Sequence, residues 1–196
     1  MNKLSRTDLM SLEEYSQSRA DYRNKVIAHK KNRQVGIGEN ATLYFEDRLT
    51  MQYQVQEILR IEKIFEADGI EEELEAYNPL IPDGSNLKAT FMLEYEDVEE
   101  RKKALASLIG VERRVWIQVD GFDKVFPIAN EDLERETEDK TSAVHFLRFE
   151  FDYKMIAALK EGSNLAMGID HDNYQHTLSN VPENVVDSLV QDFTVH

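Results

Sequence analysis

The chain has 196 residues, no cysteine, and 38 acidic against 23 basic side chains, a formal net charge of −15. That length suits one domain with a sizeable core, and a hydrophobic content of 41% with only 8 Gly and 4 Pro excludes disordered and collagen-like chains. The charge argues against nucleic acid as a partner, because phosphate neutralisation by Lys and Arg supplies most of that affinity; the missing thiols exclude disulfides, cysteine catalysis and an iron–sulfur cluster held by this chain.

In chain order, residues 1–10 lack the apolar stretch of a signal peptide. No apolar run approaches the roughly 20 residues that span a bilayer, so a cytoplasmic protein without membrane insertion is expected. Ser11 with Glu14 reads as a capping box, and Ser18 with Asp21 as a second, weaker one, which predicts two helices or one kinked helix. Residues 19–33 concentrate Arg19, Arg23, Lys25, Lys30, Lys31 and Arg33 against the lone Asp21. This is either a surface helix packed on acidic neighbours or a docking face for an anionic ligand or partner; Arg19, Arg23, Lys30 and Lys31 are its partner-binding candidates.

Residues 35–38 and 42–45, separated by Gly38, Glu39 and Asn40, predict a hairpin. A long helix over 48–66 follows. On its wheel Met51, Val55, Ile58, Leu59 and Phe65 share one arc, with Gln54 and Glu62 inside it. A carboxylate at that place needs a partner, since an unpaired buried charge costs several kcal/mol, roughly: a structural Arg or His, a neighbouring subunit in a homo-oligomer, or a metal ion.

Beyond a short acidic helix at 70–76 and a Pro-fixed loop at 78–84, a strand over 87–95 precedes a helix capped by Asp97 and closed by Gly110. Asp120 and Gly121, flanked by 111–119 and 122–128, form the strongest hairpin signal in the chain. A strand over 141–151, a helix over 153–161, a strand over 165–169 and a helix over 183–191 opened by Pro182 complete the pattern. The expected fold is α+β: a mostly antiparallel or mixed sheet of about five or six strands, packed by one long helix and several shorter ones. Residues 1–196 are expected as a single domain, with 1–34 a helical arm and 174–196 a helical tail.

The polar-site candidates are Glu46, Arg48, Glu57, Glu62 and Arg148. His145 shares its strand parity with Leu147, Phe149 and Phe151 and so points to the apolar side, while Arg148 and Glu150 lie on the other. Glu57 has Arg60 as a local ion-pair partner. Asp170, His171 and Asp172 close a strand ahead of Tyr174 and His176, at a spacing that matches no helical metal motif. Should Glu57 or Glu62 meet His145 or His171 in space, a two-histidine, one-carboxylate site for Fe, Mn or Zn results; His145, His171 and Glu62 are its ligands. Gly36–Ile37–Gly38 lacks the third glycine of a dinucleotide site, and neither a phosphate loop nor a GxSxG elbow occurs.

The strings VIAHKKNR (26–33), FEDRLTMQYQVQEILRIEKIF (45–65), AYNPLIPDG (76–84), KTSAVHFLRFEF (140–151) and MGIDH (167–171) resemble a bacterial family known only as a domain of unknown function. The likeness runs from about Leu4 to His171. It implies cytoplasmic proteins whose genes often neighbour a rubrerythrin-like di-iron protein and a cysteine-rich iron–sulfur protein similar to heterodisulfide reductase subunits. His29, Glu46, Arg48, Glu57, Glu62, His145, Arg148 and His171 all fall inside the matching strings, without assigned roles. Two functions are carried forward: an accessory protein of a redox system that binds an iron–sulfur or di-iron partner, and a metal-dependent enzyme or metal-binding protein with a His/carboxylate site.

Overall fold

The computed structural model describes residues 3–194. Residues 1, 2, 195 and 196, the ends of the expected arm and tail, lie outside the described residues. Helix α1 (Leu12–Lys30) starts at the expected capping box, with the Ser11 side chain accepting from Glu14 N and the Glu14 carboxylate accepting from Ser11 N at 2.9 Å. It runs unbroken through Ser18, whose hydroxyl donates back to the Glu14 carbonyl at 3.0 Å; a serine satisfied inside the helix does not restart it. Tyr15 and Val26 are buried and α1 packs on α2 (Arg48–Glu62), so residues 3–34 belong to the body and do not form an appended arm.

Strands β1 (Gln34–Gly36) and β2 (Ala41–Glu46) form the expected hairpin, and α3 (Ala67–Tyr77) and β3 (Asn86–Leu93) follow α2. Then come α4 (Val98–Ser107), β4 (Val115–Val119), β5 (Ile128–Ala129), β6 (Val144–Glu150), α5 (Tyr153–Lys160), β7 (Leu165–His171), β8 (Tyr174–Leu178) and α6 (Glu183–Val190). The α+β class holds, with every strand pair antiparallel, but the strands divide into two sheets, ordered β1-β2-β3-β6-β5 and β4-β7-β8.

Period-two burial explains the layering. Leu43 and Phe45 of β2, Leu87, Ala89 and Phe91 of β3, and Leu147 and Phe149 of β6 point to one side of the larger sheet. They share a core with Val115, Ile117, Met167 and Ile169 of the smaller sheet and with α5 and α6. A second cluster, built from Leu4, Met51, Val55, Leu59, Leu74 and Ile81, joins the N-terminal segment to α2 and α3. Among the described residues no helix is long and apolar enough to cross a membrane.

Two expected elements are corrected. After Gly121 the chain returns beside β4 for a single bridge, Ile117 with Val125, and then leaves for the other sheet, where Ile128 pairs with Arg148. Pro127, two residues past that bridge, has no N–H with which to continue the ladder. Residues 174–178 are not helical but form β8, which folds back on β7 through the two-residue turn Asp172–Asn173.

That added strand clamps the first hairpin. The Tyr174 hydroxyl donates to the Ile37 carbonyl at 2.7 Å and accepts from Asn40 N at 3.1 Å. Gly38 sits between them at φ 74°, where a Cβ would lie 2.6 Å from the Tyr174 hydroxyl and 2.7 Å from the His176 ring. Gly38→Ala combines left-handed strain with a clash against two packed rings, and is expected to cost about 2 to 3 kcal/mol, read as a lower midpoint in urea unfolding with an unchanged m-value.

Candidate functional site

Polar side chains gather in three places. The first is the junction of α1, β2, α2 and α6. Asp47 caps α2, accepting from Thr50 N at 2.9 Å, and its other oxygen meets His29 Nε2 at 2.5 Å and Arg33 Nε at 3.4 Å. Arg33 is sealed from solvent at 2% exposure. Each nitrogen of its fork donates: Nε to the Phe45 carbonyl, Nη1 to the Ser188 carbonyl and hydroxyl, and Nη2 to the Glu46 carbonyl and to Asp192 at 2.5 Å. Burial pushes the Asp192 carboxyl up to about 6, against the pull of Arg33.

The second lies between α1 and α2. Glu57 takes a bidentate fork from Arg19 at 2.7 and 3.0 Å, the Tyr15 hydroxyl at 2.6 Å, and Arg60 at 3.4 Å. The hydrogen bonds from Arg19 hold its carboxyl down at about 2. The expected local partner, Arg60, is thus the weaker one. Arg48 pairs with Asp8 at 2.6 Å, which ties α2 to the N-terminal segment.

The third is a transverse row on the outer face of the larger sheet, where the register aligns Glu46 with Lys88, Lys88 with Arg148 and Arg148 with Ile128. Glu46 accepts from the Thr50 and Thr90 hydroxyls at 2.6 and 2.8 Å. Arg148 grips Glu131 with a fork at 2.9 and 2.7 Å and also pairs with Glu150. Two of the polar candidates, Glu46 and Arg148, therefore share a row, while Glu57 belongs to a different network.

The proposed metal ligands do not meet. His145 is fully buried and satisfied where it stands: Asn130 Nδ2 donates to Nδ1 at 2.9 Å, and Nε2–H donates to the Ser142 carbonyl at 2.9 Å, with the Thr141 hydroxyl 3.0 Å away. His171 spends Nε2–H on the Ile109 carbonyl and Nδ1 on Asn173 N. Glu62 is the last residue of α2 and is exposed, because Lys63 turns left-handed at φ 56° and ends the helix. The wheel drawn on to Phe65 has no helix under it, and Phe65 itself is 71% exposed. Glu62 needs neither a subunit nor a metal to satisfy it. Among the described residues no three of His, Asp and Glu form a group that could hold a metal ion.

The basic segment splits in two. Arg19 and Arg33 are consumed internally, whereas Arg23, Lys25 and Lys31 are exposed and Lys30 half-buried, with no ion pair to any of them among the described residues. Ile27, 42% exposed, lies among them on α1.

Lys88, Asp192 and Glu112 were not foreseen. Lys88 was legible in principle, as the polar residue alternating with Leu87 and Ala89 in a strand. Asp192 has no local signal, its partner being 159 residues away. Glu112 is sealed beside Arg113 Nη1 at 2.8 Å, and burial raises its carboxyl.

Two antiparallel sheets packed by helices, with most of the candidate polar groups held in internal networks, define an α+β protein. The chain belongs to the family described as "Protein of unknown function (DUF3501)", which matches residues 3–193. It is similar to a novel protein of unknown function from Burkholderia pseudomallei K96243, known from a crystal structure at 1.90 Å resolution. The two are 50% identical over 98% of this chain and 100% of that one, with a TM-score of 0.93. A comparison with curated proteins gives no match.

Proposed function

We propose that this protein is an accessory component of a redox system that docks an iron–sulfur or di-iron protein through the cationic face of α1. The observation that carries the docking face is the division of the basic segment: Arg19 and Arg33 are locked inside, while Arg23, Lys30 and Lys31, within about 100° of one another on the helix, keep unpaired charge on a body of net charge −15. The net charge of such a body repels an acidic partner while that face attracts it, which orients the encounter. The class of partner comes from the family resemblance, whose gene neighbourhood pairs such chains with rubrerythrin-like and iron–sulfur proteins. A chain without thiols supplies no cluster and acts through a partner that has one. The metal-enzyme reading has no converging side chains among the described residues to support it.

The test is binding of the full-length protein to the purified rubrerythrin-like protein and, separately, to the iron–sulfur protein, by calorimetry at low and moderate salt. The double variant Arg23→Glu, Lys31→Glu is expected to weaken association at least 10-fold, mostly through the on-rate and more strongly at low salt. Absence of binding to either protein, or binding indifferent to the double variant, overturns the proposal.

A further inference from the structure

A cleft of about 510 Å³ opens between α3, the 3-10 turn Asn78–Leu80 and the outer face of the larger sheet. Its walls are apolar, from Tyr77, Leu80 and Phe146, and two basic residues of the transverse row, Lys88 and Arg148, reach it. The volume is that of an ordinary small-molecule site, in which apolar walls and a few convergent polar groups divide the work of affinity and orientation. No residue of α1 lines it, so it is separate from the docking face proposed above.

The charges around this cleft cancel in pairs, with one exception on its sheet side. Arg148 is filled by Glu131 and Glu150, and Asp132 is gripped by Arg135 at 2.5 and 2.6 Å. Glu75 is exposed at the rim. Lys88 is half-buried, and among the described residues its ammonium has one hydrogen-bond partner, the neutral Pro79 carbonyl, and no carboxylate within ion-pairing distance. Burial disfavours that ammonium and lowers its pKa, against the longer-range pull of Asp83, Glu131 and Glu150. A lysine so placed keeps donor capacity in hand and gains more from an incoming anion than a solvated one does, because the desolvation cost is already met by the fold.

We propose that this cleft is a binding site for a small amphipathic carboxylate, with Lys88 as counter-ion to the carboxylate and Tyr77, Leu80 and Phe146 around its apolar body. Arg148, paired with two acids, lines the cleft as the cross-strand neighbour of Lys88. It is not a second anion ligand.

Calorimetric titration of the full chain with octanoate, against octanol and octylamine as neutral and cationic probes of the same length, tests this. Octanoate is expected to bind at least 10-fold more tightly than either, and Lys88→Gln to remove that preference while Lys88→Arg retains part of it. Leu80→Trp, which fills the cleft from its apolar wall, is expected to abolish octanoate binding with the lysine intact, and decides the matter should Lys88→Gln fail to fold. Octylamine or octanol binding as tightly as octanoate, octanoate binding unchanged in Lys88→Gln or Leu80→Trp, or no binding of octanoate at all, overturns the assignment.

Discussion

Arg33→Met is expected to lower the unfolding free energy by about 3 to 5 kcal/mol, the range seen when one member of a buried ion pair is removed. The side chain is sealed at 2% exposure and joins the start of α2, the end of β2 and the last helix, just beyond which Asp192 is equally sealed. Taking the guanidinium away leaves Asp192 as an uncompensated charge and orphans the carbonyls of Phe45, Glu46 and Ser188. The loss therefore depends on pH in a definite sense. Asp192 already titrates at about 6 with Arg33 beside it. Without the arginine its folded pKa rises further, so the variant recovers stability as pH falls from that raised value, above 6, towards the unfolded carboxylate value near 3.8, and the aspartate takes up a proton. Adding Asp192→Asn to Arg33→Met should return a large part of the loss at pH 7, because the charge that needed a partner is gone. Urea unfolding of the wild type, the two single variants and the double variant at pH 5 and pH 7 measures the coupling. An Arg33→Met cost under about 1 kcal/mol, or one identical at both pH values, would remove the junction from the account of stability.

What the sequence made legible were features whose determinants lie close together in the chain. The Ser11–Glu14 box and the β1–β2 hairpin each depend on a handful of neighbouring residues, and each stands where its signal is. Glu62 shows how the same local logic fails: the wheel assumed helix as far as Glu66, and the left-handed Lys63 moved the carboxylate from a supposed core arc to solvent. The Asp120–Gly121 signal was real as a turn but could not hold a ladder against Pro127, and the Asp172–Asn173 turn lacked the glycine that announces a hairpin. The basic segment was legible as composition and not as function. Which of its cations remain free depends on Glu57 and Asp192, 38 and 159 residues away from their arginines. The sheet's polar row was visible strand by strand, but its register, and hence the meeting of Glu46, Lys88 and Arg148, required the fold.

His145 carries the second large effect, and it runs with the opposite sign to that of Asp192. Burial first, with the positive charge of Arg135 and Arg113 adding to it, brings the imidazole down from 6.5 to about 4. The hydrogen bonds give the same answer structurally. A second ring proton would sit on Nδ1 and face the Asn130 amide N–H, and that amide cannot turn over without breaking the 3.2 Å bond from Phe146 N to its oxygen. The folded pKa is depressed, so the unfolded chain binds the extra proton first. The stability this residue contributes is complete above 6.5 and is lost as pH falls towards 4, up to about 3 kcal/mol in all. Asp192, raised to about 6, contributes in the reverse direction over the same interval. The two slopes partly cancel in the wild-type protein, so variants are needed to separate them. His145→Gln keeps an acceptor and a donor on the side chain but does not titrate. It is expected to be less stable than the wild type at pH 7 by about 1 to 3 kcal/mol and to close most of that gap by pH 4. Asp192→Asn should instead steepen the acid loss. Unfolding curves at pH 7, 5.5 and 4 decide it: a His145→Gln deficit that stays constant across the three would mean that His145 is already charged in the folded protein, and the tautomer set by Asn130 and Ser142 would be wrong.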